Sequence, residues 1–353
     1  MPIVQHEELR RFGFEVFKSA GLPDDDAKIV SDHLVNSNLC GHDSHGVWFV
    51  PNYAWEMRER YKSWEDHKVI KDTPCLRVID GNGANGIVAV TKAVDIAVEK
   101  ARQATFGFVG LSHITHIGRL GEFPPRIAEQ GMIGMIWLNG GGLFMTPFGS
   151  ADRKLRPEPM AFSAPRKNGA PFVLDLTMCV VAGGKIEQKR IRKEPMPEGW
   201  VVDHKGNWVT DTKVYHEDPE HTGVVPLGGM QFGHKGFGLA MMVEMLVGPL
   251  TGAGCTHTKD RGASRNGDGT MILAIDIASF TELKTYQEDV EGLAEWVCGA
   301  RPLPGFDKVY APGEIEQEKK AKLIQDGIDV PDGTWEEFEK AAEEFQVALP
   351  NHE

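Results

Sequence analysis

The chain has 353 residues, a formal net charge of −13, 41% apolar and 25% charged residues. That length allows two domains on a prior of about 100–200 residues each, and the composition is that of a soluble globular protein. The acidic balance excludes a nucleic-acid footprint; the most basic run, QKRIRK at 188–193, reads as a solvated face or subunit contact.

Residues 6–19 place Leu9, Phe12, Val16 and Phe17 on one helical face. GLPDDD at 21–26 breaks that helix and offers N-cap acids to a second, about 24–39, with Ile29, Val30, Leu34 and Val35 inside. Residues 75–80 read as a strand, 87–103 as a helix, 105–111 as a strand, 119–130 as a helix and 132–138 as a strand. Two further strands fall near 160–164 and 171–176, and the polar segment 194–227 reads as a long connection. GHKGFGLAMMVEMLVGPLTGA opens with a glycine turn and becomes a helix; 270–277 is a strand. The acidic tail predicts helices near 313–328 and 334–349, the second opening with a capping box, Thr334-x-x-Glu337. Alternating strands and helices give an α/β class.

Five scattered cysteines with no CxxC pair fit reduced thiols. The N-terminus carries no apolar signal region, and the longest apolar stretch contains Glu244 and Pro249. A cytoplasmic protein without membrane contact is expected.

GNGANG at 81–86 matches G-x-G-x-x-G between a strand and a helix. A Rossmann turn also needs an acid at the end of the next strand to hold the ribose. That strand ends Gly110, Leu111, Ser112, His113, with no acid. The run therefore reads as a tight turn that lets the helix pack on the sheet.

The chemistry sits in two other runs. GHDSHGVWFVPNY at 41–53 holds His42, Asp43, Ser44 and His45; SHITHIGRLGEF at 112–123 holds His113, His116 and Arg119. Histidine exchanges a proton near neutral pH, and arginine matches a carboxylate. If His116 and Arg119 lie on one helical turn, their i,i+3 spacing gives them a shared face. The pairs His42/His45 and His113/His116 also offer four imidazoles that zinc would accept, so a metal-dependent hydrolase or lyase is a rival; so is a non-catalytic binding protein that keeps the fold.

Over nearly its full length the chain resembles the malate/L-lactate dehydrogenase superfamily, which has no Rossmann fold and includes ureidoglycolate, sulfolactate and diketogulonate oxidoreductases. The resemblance rests on GHDSHG (41–46), THIGRLGE (115–122), EQGMIGM (129–135), TPFG (146–149), PFVLDLTMCVVAGGKIE (171–187), PMPEGW (195–200), VPLGG (225–229), GHKGFGLAMMVE (233–244) and APGE (311–314). It implies a non-Rossmann, NAD(P)-binding α/β fold with a helical N-terminal region, and a homodimer. The expected division is a substrate and dimerisation unit, 1–75 plus 226–353, and an NAD(P)-binding unit, 76–225. It implies hydride transfer between NAD or NADP, with NAD favoured, and C2 of a 2-hydroxy or 2-keto acid. The proton donor is His45 or His116, and Ser44 would contact substrate. Asp175, Leu176, Thr177, Met178, Cys179, His234, Lys235, Gly313 and Glu314 fall where the family holds the dinucleotide, and Asp175 would also orient a histidine. No metal is implied.

Two departures bear on the substrate. Phe49 stands where many members carry a carboxylate-binding arginine, a pattern that with HIGR resembles the hydroxycarboxylate dehydrogenase B subgroup and makes Arg119 the expected clamp. LRPEPMAF at 155–162 replaces a form close to LGTNPIAF, placing Arg156 and Glu158 near the expected substrate pocket. Trp48 and Phe49 would line a pocket suited to a large or aromatic side chain. A cyclic imino acid, with Glu158 near its nitrogen, is the alternative substrate.

Overall fold

The computed structural model describes residues 2–257 and 268–352. In chain order its elements are β1 (Ile3–Val4), α1 (His6–Ser19), α2 (Asp24–Leu39), α3 (Phe49–Arg60), β2 (Lys68–Thr73), β3 (Leu76–Ala84), α4 (Gly86–Ala104), β4 (Phe106–Ile114), α5 (Pro124–Ala128), β5 (Met132–Asn139), β6 (Met160–Ala164), β7 (Phe172–Leu176), α6 (Gly183–Ile191), β8 (Val201–Asp203), α7 (Thr212–Glu217), β9 (Thr222–Val224), α8 (Gly229–Phe232), α9 (His234–Thr251), β10 (Asp268–Asp276), α10 (Leu283–Cys298), α11 (Glu314–Asp326), β11 (Ile328–Asp329) and α12 (Asp332–Phe345). None of the described helices is long and apolar enough to cross a membrane.

Seven strands form one sheet in the order β2-β3-β4-β10-β5-β6-β7. β3 and β4 run parallel, joined by α4; every other neighbour in the sheet is antiparallel. A doubly wound dinucleotide fold is built from parallel neighbours, so this sheet is mixed and non-Rossmann. Strands from the terminal segments, β2 and β10, pair directly with strands from 76–225.

One apolar core lies between the sheet and the N-terminal helices, with Phe12, Phe17, Leu34, Ile87, Phe123 and Phe338 fully buried. A second lies on the α9 side, around Trp137, Met145, Met178, Val243 and Met271. The register explains the split. Trp137 pairs with Met271 on β10 and with Met160 on β6, so these side chains share the α9 face.

The GNGANG glycines serve packing. Gly83 has φ +85°, which only glycine adopts without cost. A Cβ on Gly86 would lie 2.1 Å from the Thr115 carbonyl oxygen, and one on Gly81 would lie 2.4 Å from Ile114 Cγ2. Asn85 caps α4 through Val88 N at 3.1 Å.

Several expected elements differ. The helix expected over 119–130 is reduced to α5, because Pro124 and Pro125 lack the N–H groups a helix passing through them needs; Arg119 itself is extended, at φ −78° and ψ 121°. The connection 194–227 contains β8, α7 and β9. The helices α3 and α10 and the strand β2 escape the apolar pattern. The α12 cap is Pro331, so Thr334 lies inside the helix and forms no capping box. Likewise α2 starts after Pro23, and Asp24, Asp25 and Asp26 occupy its first turn, where they favour the helix dipole rather than cap it.

Gly107 tests the α4–β4 contact. A Cβ there would sit 1.8 Å from the Ala97 carbonyl oxygen. Gly107→Ala should cost roughly 1–3 kcal/mol, as overpacking does, read as a lower urea midpoint; an unchanged midpoint would show that the two elements are not pressed together.

Candidate active site

The loop after α2 is pinned by one residue. Asn38 Oδ1 accepts Val47 N at 2.7 Å, and its Nδ2 donates to Asp43 Oδ1 at 2.8 Å. Gly46 permits that approach, since a Cβ there would lie 2.0 Å from Asn38 Oδ1. The pinned turn presents Ser44 Oγ at 3.0 Å from His45 Nδ1. Gly184 at the start of α6 packs against Ser44 Cβ, 2.7 Å from where its own Cβ would stand.

The second run meets the first beyond β4. Thr115 Oγ1 accepts Gly86 N at 3.1 Å, fixing the backbone beside His116. The His45 and His116 rings stack, with centroids 5.8 Å apart and planes 21° apart. Tyr53 OH of α3 bonds His116 Nδ1, which leaves Nε2 for a reactant. Phe49 lies 5.4 Å from the His116 ring and 4.8 Å from Tyr53, and Trp48 lies 4.1 Å from Phe49. A cavity of about 280 Å³ opens on the far side, lined by Tyr53, Arg60, Lys62, Asn82, His113 and His116 among others.

Burial keeps these imidazoles neutral. It pulls His116 down to about 4, helped by the nearby His45, and His45 to about 4, helped by His42 and Arg119. Beneath them His33 is buried; its Nε2 accepts Arg119 N at 2.9 Å. Burial, with Arg119 and Arg126 next, holds it well below the usual histidine range.

Arg119 is 6% exposed. Its NH2 meets Glu122 Oε2 at 2.8 Å, Asn36 donates to the other Glu122 oxygen at 2.8 Å, and its Nε has no partner. It shares no helical turn with His116, because 115–119 is coil; its charge is felt instead at His45 and His33. Asp175, near the end of β7, accepts Gly121 N at 2.8 Å. Burial raises its pKa against the pull of Arg119 and His42.

The remaining histidines do not close a metal cage. His42 turns to Glu316 at 3.6 Å and His113 to Asp80 at 3.0 Å. Among the described residues no three His, Cys, Asp or Glu groups are placed to hold a metal ion.

The segments expected at the dinucleotide lie along β7, with 311–314 beside its start and 227 and 236 beyond its end. Val173 N donates to Pro312 O at 3.3 Å, and Gly313 (φ +96°) packs on Val173 before α11. Glu314 Oε2 accepts Ala311 N at 3.0 Å. Leu176 and Thr177 continue from β7, and Thr177 Oγ1 donates to Cys179 O at 3.2 Å. Leu227 N bonds Met178 O at 2.9 Å, and Gly236 N bonds Leu227 O at 3.2 Å, which ties the start of α9 to that stretch. His234 and Lys235 are exposed there. Burial pushes the Cys179 thiol up to about 11, so it is no nucleophile.

Arg156 bonds Asn139 Oδ1 at 2.7 Å. Glu158 is 0% exposed and faces Glu244, so contact with a substrate would require its loop to move. The sequence reading assigned no role to Tyr53, Asn38 or His33. For Tyr53 a signal existed, its i,i+4 spacing from Phe49, but it is legible only once α3 is known to be a helix.

The malate/L-lactate dehydrogenase family model matches residues 4–339. Among curated relatives, malate dehydrogenase from Pyrococcus abyssi is 33% identical over 91% of this chain and 89% of its own length. Hydroxycarboxylate dehydrogenase B from Escherichia coli is 30% identical over 98% and 94%. The solved malate dehydrogenase of Pyrococcus horikoshii superposes with a TM-score of 0.87, at 28% identity, over 98% of this chain and 96% of that one.

The buried imidazoles set a pH dependence. Their folded pKa values lie below the unfolded value of about 6.5, so the unfolded state binds protons first as pH falls. Stability is full above about 6.5 and declines from there to about 4, by up to about 1.4 kcal/mol per pH unit for each ring. Histidine NMR should show His45 and His116 uncharged at pH 5 and titrating near 4; titration of both near 6.5 would defeat this assignment.

Proposed function

The chain belongs to the malate/L-lactate dehydrogenase family, and on that premise we propose that it moves a hydride between NAD or NADP, with NAD favoured, and C2 of a 2-hydroxy or 2-keto carboxylic acid. The observation that carries this is the stacked, neutral pair His45 and His116, with His116 locked through Nδ1 by Tyr53.

When bound, the nicotinamide supplies the hydride. The protein has to supply a proton at the carbonyl oxygen and a hold on the carboxylate. His116 Nε2 gives that proton in reduction and removes it in oxidation, with His45 as the other candidate; general catalysis of this kind is typically worth 10²–10⁴-fold. A neutral imidazole is already the base that oxidation requires. Ser44, on His45 Nδ1, orients ring and substrate. Arg119 is the clamp, with its unpartnered Nε as the donor left over beside Glu122. Asp175 fixes the 120–122 turn through Gly121 N and so steadies Arg119. Trp48 and Phe49 stack into an apolar wall, which supports a large or aromatic substrate side chain.

The segments along β7 and at the start of α9 are the proposed hold on the dinucleotide. Gly313 brings backbone against Val173 where a side chain would clash, and exposed His234 and Lys235 suit phosphate charge. Buried Glu158 gives the imino-acid alternative no direct support. A homodimer in the cytoplasm completes the reading. It is supported by the exposed apolar side chains Met230, Phe232, Leu239, Met242 and Met245 on α8 and α9, a patch that lone soluble chains rarely leave bare.

The test is oxidation of NADH and NADPH against pyruvate, oxaloacetate, 2-oxoglutarate, phenylpyruvate and a cyclic imino acid. Turnover on a 2-keto acid is expected, with His116→Asn losing about 10²–10⁴-fold in kcat. Arg119→Lys should raise KM for the keto acid and leave KM for NADH unchanged. Turnover confined to the imino acid, or full activity in His116→Asn, would overturn the respective assignment.

A further inference from the structure

Two acidic side chains face each other in the α9-side core, away from the paired imidazoles. Glu158 is 0% exposed and Glu244, on α9, is 3% exposed. Among the described residues, neither Glu158 oxygen makes a full hydrogen bond to a donor, nor does Glu244 Oε1. Glu244 Oε2 accepts Thr256 N at 3.1 Å. Glu158 also holds φ +42°, a conformation a side-chain-bearing residue keeps only when its surroundings impose it. Two ionised carboxylates cannot both persist at such a dry contact, whereas one added proton supplies the missing donor. Among the described residues, the other titratable or charged groups facing the pair are Arg156 on the same loop, Cys179 beyond β7 and Cys255 beyond α9.

The pair is mechanically connected to the dinucleotide stretch on both sides. Next to Glu158, Pro157 O accepts Met178 N at 2.9 Å; on the α9 side, Leu227 holds Met178 O and Gly236. We propose that Glu158 and Glu244 share a single proton, and that this proton clamps the 155–158 loop to α9 and positions the 176–179 stretch for the cofactor. The last step rests on the dehydrogenase reading; the clamp itself does not.

The sign follows from the chemistry. Burial, then Glu244, pushes Glu158 up to about 10, against the weaker pull of Arg156. An opened loop hydrates Glu158 and lets it ionise near the ordinary 4.5. Opening is therefore disfavoured at low pH and gains up to about tenfold per pH unit through the window from 4.5 towards 10. Glutamine at 158 keeps a donor for Glu244 and cannot ionise, so it removes this dependence.

The experiment is amide hydrogen exchange of the 176–180 segment in wild type, Glu158→Gln and Glu244→Gln, compared at equal pH so that intrinsic exchange cancels. Between about pH 6 and about pH 9, wild-type protection should fall at least about tenfold relative to Glu158→Gln, converging at the acidic end. Glu244→Gln, which removes the like charge but leaves Glu158 buried and ionisable, should show a dependence between those of wild type and Glu158→Gln, and guards against one variant misfolding. A constant ratio across the range would overturn the shared proton. NADH affinity should fall in step in wild type and stay flat in Glu158→Gln; affinity that ignores the loss of protection would overturn the positioning role. NADH binding by none of the three proteins at any pH would count against the dehydrogenase reading, while the exchange ratio still decides the clamp.

Discussion

Keeping imidazole uncharged in a dry interior is the constraint on which the rest of this structure depends. Each buried ring must find hydrogen-bond partners without acquiring a proton, since a bare buried cation is costly. His33 meets the condition by accepting Arg119 N, His116 by bonding Tyr53, and His45 through Ser44. Those partners come from the coil after β4, from α3 and from the turn after α2, so the requirement ties the N-terminal helices to the sheet. Arg119 is the charge the arrangement has to tolerate, and Glu122 and Asn36 balance it.

Close backbone approach makes the arrangement possible. Gly46, Gly86, Gly118 and Gly121 each stand where a Cβ would fall within 2.5 Å of Asn38, Thr115, His33 or Asp175 respectively. The GNGANG run belongs to the same economy. Its glycines let the N-terminus of α4 press against the backbone of Thr115 and His116, so a pattern that resembles a phosphate loop positions the backbone at His116 instead. The segments along β7 are tied separately, by backbone bonds of Val173 to Pro312 at its start and of Met178 to Leu227 beyond its end.

The α9-side core handles acid by the same logic with the opposite sign. Burial raises the pKa of Glu158 beside Glu244, just as it lowers those of His45 and His116. In both places burial decides the protonation state, and the surrounding backbone is organised around that decision.

The α/β class, the main helices, the central strands, the family and the two histidine runs were determined by the sequence itself. Apolar period and glycine-marked ends are local properties, and motifs such as DSHG and HKGFGL are contiguous. What lay beyond it were contacts between distant segments. Arg119 and His116 suggested a shared helical face, but the helix starts only at Pro124, and tertiary packing sets Arg119 against His33 and His45 instead. Tyr53 acquired a role only when α3 set it opposite His116. The place of Glu158 was decided by Glu244, 86 positions away in the chain. The antiparallel insertion of β10 between β4 and β5 was likewise settled by long-range pairing, which no local spacing encodes.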